Sequence, residues 1–188
     1  MEDGARSVEA ARNAPAPSLR DWLDHLASRD LLAVARPGVA LRFELAAIAK
    51  RLDGVKATLF PAPDGHATPV VSGLVCDRGW IAEAMGVAPC EVLPRFLDAA
   101  LNPLPWREVA TAPVQERVHR DVDLGALLPL PTHNEHDSGP YITAGLLIAR
   151  NPATGVQNVA IHRLQLSGPK RLGALLLPRH TNLYFDCL

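Results

Sequence analysis

The apolar residues of this chain change their spacing part of the way along it, and that change constrains the fold more than any other feature. Up to about residue 100 they recur at helical intervals between short β-like runs. From Tyr141 onward they alternate with a period of two. Leu19, Trp22, Leu23 and Leu26 fall at i, i+3, i+4 and i+7 behind Ser18, which can cap a helix with Asp21 completing a weak capping box. Leu31 to Ala35 then reads as a strand, Phe43 to Leu52 as a helix, Ala57 to Pro61 and Pro69 to Val75 as strands, and Arg78 to Met85 and Val92 to Ala100 as helices. Strands alternating with helices imply an α/β domain.

A proline-rich passage, Asn102-Pro103-Leu104-Pro105, ends that texture. Ala112 to His119 follows as a candidate strand, then a proline-punctuated loop around Pro129-Leu130-Pro131. Beyond it Tyr141 to Ala149, Val156 to Leu166 and Arg171 to Leu177 are separated by turns at Asn151 to Gly155 and at Gly168-Pro169. Three strands joined this tightly predict an antiparallel meander, the opening of a barrel or sandwich. Residues 1 to 17, rich in Ala, Pro and small polar residues without an apolar face, are expected to be a disordered arm.

Composition excludes several functions. With 48% hydrophobic and 21% charged residues the chain is an ordinary globular sequence, and its 188 residues suffice for one core or for one small domain and part of another. A formal net charge of -1 leaves no cationic footprint for DNA or RNA, so nucleic acid is not an expected partner. The apolar runs fall far short of the roughly 20 residues that a spanning helix needs, and the N-terminus lacks a signal pattern; membrane insertion is not expected and the cytoplasm is. Cys76, Cys90 and Cys187 are odd in number and widely spaced, which suggests neither a disulfide framework nor a zinc site.

Two stretches concentrate chemistry. Thr132-His133-Asn134-Glu135-His136-Asp137 packs two imidazoles and two carboxylates into one loop, yet such residues in loops are more often solvated or capping than ligating. The second is on the meander: Gln157-Asn158, His162-Arg163 and, past the next strand, Arg179-His180. An amide oxygen, an imidazole and an arginine near one hairpin can gather a phosphate and a hard divalent cation; polar residues on a half-buried sheet are the plainer alternative.

In the C-terminal half Ala112 to Glu116 forms an AP-x-x-E segment, Asp121 to Pro131 a DVDL-x-x-x-LP-x-P run, and His133 to Thr143 an H-x-x-x-D-x-GPYIT run. Asn151 to Arg163 forms NP-x-TG-x-x-N-x-x-x-x-R, with a His motif closing at His180. With a one-residue gap in the second and third of these, the wording resembles the UbiD-family decarboxylases (3-octaprenyl-4-hydroxybenzoate carboxy-lyase-like). Upstream, Leu19 to Leu32, the helix around Glu44 and Gly65 to Val71 are also similar to the family's first domain, so the likeness covers nearly everything after Pro17.

That resemblance implies an α+β fold: an N-terminal α/β domain at 18–111, then at 112–188 the start of a split antiparallel β-barrel of the FMN-binding type, truncated. It implies prenylated FMN as cofactor, with Mn²⁺ or another divalent metal and a K⁺ at its phosphate. By motif position Asn158 and His180 correspond to metal ligands, and Arg163 to the arginine of a Glu-Arg-Glu catalytic group. Asn158, Ile161, His162, Arg163, Arg179 and His180 correspond to cofactor-contacting positions, and Thr143 lies where the substrate is approached. The implied substrate is an aromatic or α,β-unsaturated carboxylic acid, and the implied assembly a homo-oligomer.

The family's third metal ligand and both catalytic glutamates lie beyond the His180 motif, where only Thr181 to Leu188 remain. The chain is therefore expected to be incomplete, and inactive unless a downstream or homologous chain supplies them. The competing expectation is a non-catalytic homologue or subunit that pairs with a fuller relative. Asn158 and Arg163, five residues apart, would point to opposite faces of a regular strand. If both meet the cofactor, a bulge is expected between them, near Ala160 to His162.

Overall fold

A computed structural model describes residues 18–105 and 107–177 of the chain. The expected arm, residues 1–17, and the Arg179-His180 pair lie outside the described residues. The first helix, α1 (Leu19–Ser28), starts where the sequence places it. The Ser18 hydroxyl accepts from the Asp21 amide at 3.2 Å, and Asp21 Oδ2 accepts from the Ser18 backbone N–H at 3.0 Å. Two amides that the helix itself leaves unpaired are thereby satisfied. The Ser18 hydroxyl also donates to Asp21 Oδ2 at 2.7 Å, and this bond, with that from the Ser18 amide, holds the Asp21 carboxyl below the usual carboxylate range.

Strands β1 (Leu32–Val34), β2 (Ala57–Phe60) and β3 (Val70–Ser72) form a sheet in that order. The Ala57 N–H donates to Leu31 and the Ala35 N–H to Leu59, so β1 and β2 run the same way. Their connection is α2 (Glu44–Leu52), the crossover helix that a parallel pair requires. β3 returns antiparallel, with Leu59 opposite Val71. Helix α2 begins one residue later than expected because Phe43 sits at φ 68°, outside helical space, with its N–H donated to the Thr132 carbonyl at 2.9 Å.

The described residues form two compact units, neither continuous in sequence: 18–33, 53–57 and 73–105 in one, 34–52, 58–72 and 107–177 in the other. The core of the first is Leu26, Ala57 and Trp80, backed by Trp22, Leu31, Leu32 and Cys76. Trp22 meets Trp80 edge to face at 6.5 Å and donates its indole N–H to the Leu74 carbonyl at 2.9 Å, so the buried ring is not left with an unpaired donor. This unit also holds α3 (Arg78–Met85), which is capped by Asp77 and ends at Gly86 with φ 64°, and α4 (Val92–Leu101). The second unit has its own core of Val39, Leu45 and Phe60, flanked by Leu41, Ile48 and Val70. Cys76 and Cys90 are free thiols, and Cys187 lies outside the described residues.

Ala112 to His119 is not a strand. Pro113–Gln115 forms a single 3-10 turn and the rest is irregular, largely exposed chain. Pro113 has no N–H to give to a ladder, and the turn is compatible with proline at its first position. A four-residue helix, α5 (Leu124–Leu127), follows, its Asp123 accepting from the Gly125 amide at 2.8 Å.

The C-terminal meander appears as expected: β4 (Tyr141–Arg150), β5 (Gln157–Gly168) and β6 (Arg171–Ala174), antiparallel, with β5 central. The β4–β5 turn is built by Asn151, whose side-chain oxygen accepts from the amides of Ala153 and Thr154 at 2.8 and 3.1 Å. Gly155 takes the left-handed conformation at φ 72° that closes it. The sheet is open among the described residues.

Candidate functional site

Along β4 and β5 the pairing runs from Arg150 opposite Gln157 to Gly145 opposite His162, then resumes with Ile142 opposite Leu164. Two residues of β4, Thr143 and Ala144, therefore oppose the single residue Arg163. This is a β-bulge. It lies opposite Arg163 and on the partner strand; β5 pairs without a break from Gln157 to His162, and the bulge expected near Ala160 to His162 is not there. Gly145 explains the choice of strand. A Cβ at that position would stand 3.1 Å from the His162 carbonyl oxygen and 3.1 Å from Leu164 Cδ1, so the glycine permits the close approach next to the bulge.

β6 pairs with β5 only from Gly168 opposite Arg171 to Leu164 opposite Ala174. From Asn158 to Arg163, β5 thus has β4 on one side and no ladder partner from β6 on the other. A concavity of about 940 Å³ occupies this fork, bordered on β5 by Asn158 and by Ala160 to Arg163, and on the departing chain by Gly173 to Leu175 and Leu177. Consecutive residues of β5 border one space because the space lies at a strand edge, where both faces are within reach.

Of the residues singled out from the sequence, Asn158, Ile161, His162 and Arg163 meet at this concavity. Asn158 and His162 are half-buried on one face, opposite Ala149 and Gly145, and Ile161 is 76% exposed on the other. Arg163 places its guanidinium carbon 4.6 Å from the centroid of the Tyr141 ring. Thr143 is exposed in the bulge.

Sequence reasoning missed Tyr141 and Gln165, which border the same space. Their nearness to Arg163 follows from strand register, since Tyr141 is directly opposite Gln165, and no spacing within one segment reveals that. The Gln165 amide donates to Ser138 Oγ at 2.7 Å, and Ser138 Oγ is 3.4 Å from the Tyr141 hydroxyl.

The loop at 132–137 takes the capping role. Asp137 accepts from the Asn134 amide at 3.0 Å and Asn134 accepts from the His136 amide at 2.9 Å, which commits two of its polar side chains to its own backbone. Among the described residues no three His, Cys, Asp or Glu side chains cluster as a metal site.

The concavity falls within the roughly 300–1,000 Å³ typical of small-molecule sites. Its wall mixes an amide, an imidazole and a guanidinium with the apolar Ile161, Leu175 and Leu177. Such a donor set suits an anionic, partly flat ligand: the cation and N–H groups meet phosphate or carboxylate oxygens while the apolar side chains meet a ring. A phosphorylated flavin fits that description. Among the described residues the structure's ion pairs engage other arginines, Arg29, Arg36 and Arg95, so the charge of Arg163 faces no carboxylate there.

Comparison with known proteins identifies the family. Residues 23–100 match the family model of the 3-octaprenyl-4-hydroxybenzoate carboxy-lyase N-terminal domain, and residues 107–186 match that of its Rift-related domain. An uncharacterised protein encoded 5′ of cooM in Rhodospirillum rubrum is 37% identical, over 87% of this chain and 36% of the relative. The anhydromevalonate phosphate decarboxylase of Methanothermobacter thermautotrophicus is 33% identical, over 89% of this chain and 38% of its own.

Among solved structures, the UbiD-class enzyme HmfF from Pelotomaculum thermopropionicum in complex with FMN superposes with a TM-score of 0.86 at 46% identity, covering 90% of this chain and 39% of that one. The apo 3,4-dihydroxybenzoic acid decarboxylase from Enterobacter cloacae gives a TM-score of 0.80 at 27% identity, covering 93% and 40%. The chain spans 36% to 40% of the length of these four relatives. With both domain models matched in order and the fold shared across nearly its whole length, the chain belongs to the UbiD family of 3-octaprenyl-4-hydroxybenzoate carboxy-lyase-like proteins.

Proposed function

We propose that this chain is the flavin-binding portion of a UbiD-type carboxy-lyase that removes, or in reverse adds, the carboxyl group of an aromatic or α,β-unsaturated acid. The observation that carries the reading is the fork between β5 and β6, where Asn158, His162 and Arg163 border one concavity. Support for prenylated FMN comes from the relative HmfF, whose structures contain FMN and, in an evolved dimeric form, prenylated FMN.

When bound, the modified flavin supplies an electron sink for the charge left as CO₂ departs. The residues of this chain do the holding. The Asn158 amide and, from outside the described residues, His180 would hold a divalent metal such as Mn²⁺, with a K⁺ beside it, to neutralise the phosphate; Ile161, His162 and Arg179 would line the cofactor. Arg163 offers a permanently charged fork to the substrate carboxylate. Thr143, exposed in the bulge, meets the substrate. The domains divide at 111/112, a few residues past the point where one family match ends at 100 and the next starts at 107. The working assembly is a cytoplasmic homo-oligomer; no described helix is long and apolar enough to cross a membrane.

Replacing CO₂ by hydrogen requires an acid that cycles between protonated and ionised forms, and an arginine stays charged throughout. Arg163 therefore orients the carboxylate but does not return the proton. The test is single-turnover CO₂ release from cinnamic, hydroxybenzoic and heteroaromatic acids, with prenylated FMN and Mn²⁺. We expect none from the 188-residue chain alone, and release once a second polypeptide carrying the family's catalytic glutamates is co-expressed. Release by the chain alone, abolished by Arg163→Ala, overturns the division of roles; no release in either case overturns the proposal.

A further inference from the structure

Arg163 occupies an edge-bordering position on a strand, where a long side chain sweeps many rotamers. Holding it in one place costs side-chain conformational entropy, so a guanidinium that must meet a ligand repeatedly needs a support. Tyr141 is placed to be that support. It pairs with Gln165, and Arg163, two residues away along β5, is its diagonal neighbour on the same face. The guanidinium carbon lies 4.6 Å from the ring centroid, inside the roughly 6 Å reach of a cation–π contact.

The ring has a support of its own. Gln165 donates to Ser138 Oγ at 2.7 Å, and Ser138 Oγ stands 3.4 Å from the Tyr141 hydroxyl. Ser138, Gln165 and Tyr141 thus form a short chain of contacts that ends under Arg163. Tyr141, Gln165 and Arg163 all border the concavity.

We infer that Tyr141 is a positioning residue: its ring, steadied by Ser138 and Gln165, holds the Arg163 guanidinium at the cavity wall ready for the carboxylate of the substrate. The inference rests on the reading of Arg163 as the carboxylate-binding arginine. Because the ring acts through its face, Tyr141→Phe should preserve the effect and Tyr141→Leu should remove it. A cation–π contact at an exposed site amounts to roughly two- to five-fold in affinity.

The test uses the 188-residue chain with ¹⁵N-labelled arginine, the Arg163 side-chain resonance being assigned by its loss in Arg163→Lys. The Arg163 Nε–H signal should be displaced by the ring current in the wild type and in Tyr141→Phe, and return toward the free-arginine position in Tyr141→Leu. Sodium benzoate is then titrated in. Its affinity should change less than two-fold in Tyr141→Phe and fall roughly two- to five-fold in Tyr141→Leu, and the response should vanish in Arg163→Ala.

If Arg163→Ala loses benzoate while Tyr141→Leu binds it as tightly as wild type, the positioning role is wrong and the reading of Arg163 stands. If Arg163→Ala binds benzoate as well as wild type, or the wild type shows no response at all, the reading of Arg163 fails and takes the inference with it. Should Tyr141→Leu not fold, Tyr141→Met, which fills the space without a ring, takes its place and should weaken benzoate roughly two- to five-fold; unchanged affinity there overturns the inference.

Discussion

Replacing Gly145 by alanine adds one methyl group at the most crowded point of the C-terminal sheet. That methyl would lie 3.1 Å from the His162 carbonyl oxygen, 3.1 Å from Leu164 Cδ1 and 3.5 Å from Ile142 Cγ2. Optimal contacts between carbon atoms are about 3.5–4.0 Å, so two of the three must lengthen. Leu164 Cδ1 is the end of a side chain and can rotate away. The His162 oxygen belongs to the backbone of the strand paired with Gly145, and moving it disturbs the ladder beside the bulge.

Overpacking of this kind costs about 1–3 kcal/mol. Against it stand the reduced freedom of the unfolded chain, about 0.4–1 kcal/mol, and burial of one methyl, about 0.8 kcal/mol at most. The net expectation for Gly145→Ala is a loss of about 1 kcal/mol, or about 2–4 °C in melting temperature for a chain of this size. Gly139 is the control, because a Cβ there would meet its nearest atom, Gln165 Nε2, at an ordinary 3.6 Å. Gly139→Ala should be neutral or slightly stabilising. Thermal and urea unfolding of the two variants, with amide NMR shifts at His162 to Leu164, give the comparison. A Gly145→Ala protein as stable as Gly139→Ala, with those amides unmoved, would refute the claim that the glycine is there for close strand approach.

In the other unit, Leu26→Ala should cost about 2–5 kcal/mol by urea unfolding, since Leu26 is fully buried against Ala57 and Trp80 and leaves a cavity in a small core; a loss under 1 kcal/mol would show that the cluster collapses around the gap. Glu83 gives a pH dependence: partial burial pushes its carboxyl up, but bonding to Arg29 and to His25, with their charges, outweighs this and holds it below its ordinary value. A lowered folded-state pKa means that the contribution is present above the unfolded value, about 4.3, and lost as pH falls through the folded one. The melting temperature should therefore drop on acidification below about pH 4.5, and Glu83→Gln should remove part of that drop; an identical acid limb in the variant counts against it.

Local signals in the sequence were strong where one segment determines its own structure. Ser18 and Asp21 announce α1 because a capping box needs only residues three apart. Asn151 and Gly155 announce the β4–β5 turn for the same reason. Legibility fails where a distant partner decides. Phe43 leaves helical space because Thr132, far along the chain, takes its N–H. Ala112 to His119 carries two valines at strand-like spacing, but with proline at its second position it has no ladder to join. Asn158, His162 and Arg163 were legible as motif residues; the fork that brings them to one space is a property of how far β6 pairs along β5.

The bulge shows what such a partner can decide. Had β4 continued without it from Ile142 opposite Leu164, Ala144 would oppose His162, Leu146 would oppose Ala160 and Ile148 would oppose Asn158. The extra residue instead sets Gly145 opposite His162 and Ala149 opposite Asn158. The polar pair on β5 is thereby given a glycine and an alanine of β4 as direct partners, and Leu146 and Ile148 are turned to the other face, opposite Ile161 and Val159. A one-residue slip reverses which face of a strand carries its bulk, and here it separates an apolar face from one with room beside an amide and an imidazole. The sequence Thr143-Ala144-Gly145 fits this arrangement, since two small or β-compatible residues can share one partner and the glycine can approach His162. The neighbours of a candidate side chain on β5 are in this way set by residues of β4, and a motif read along β5 alone does not contain them.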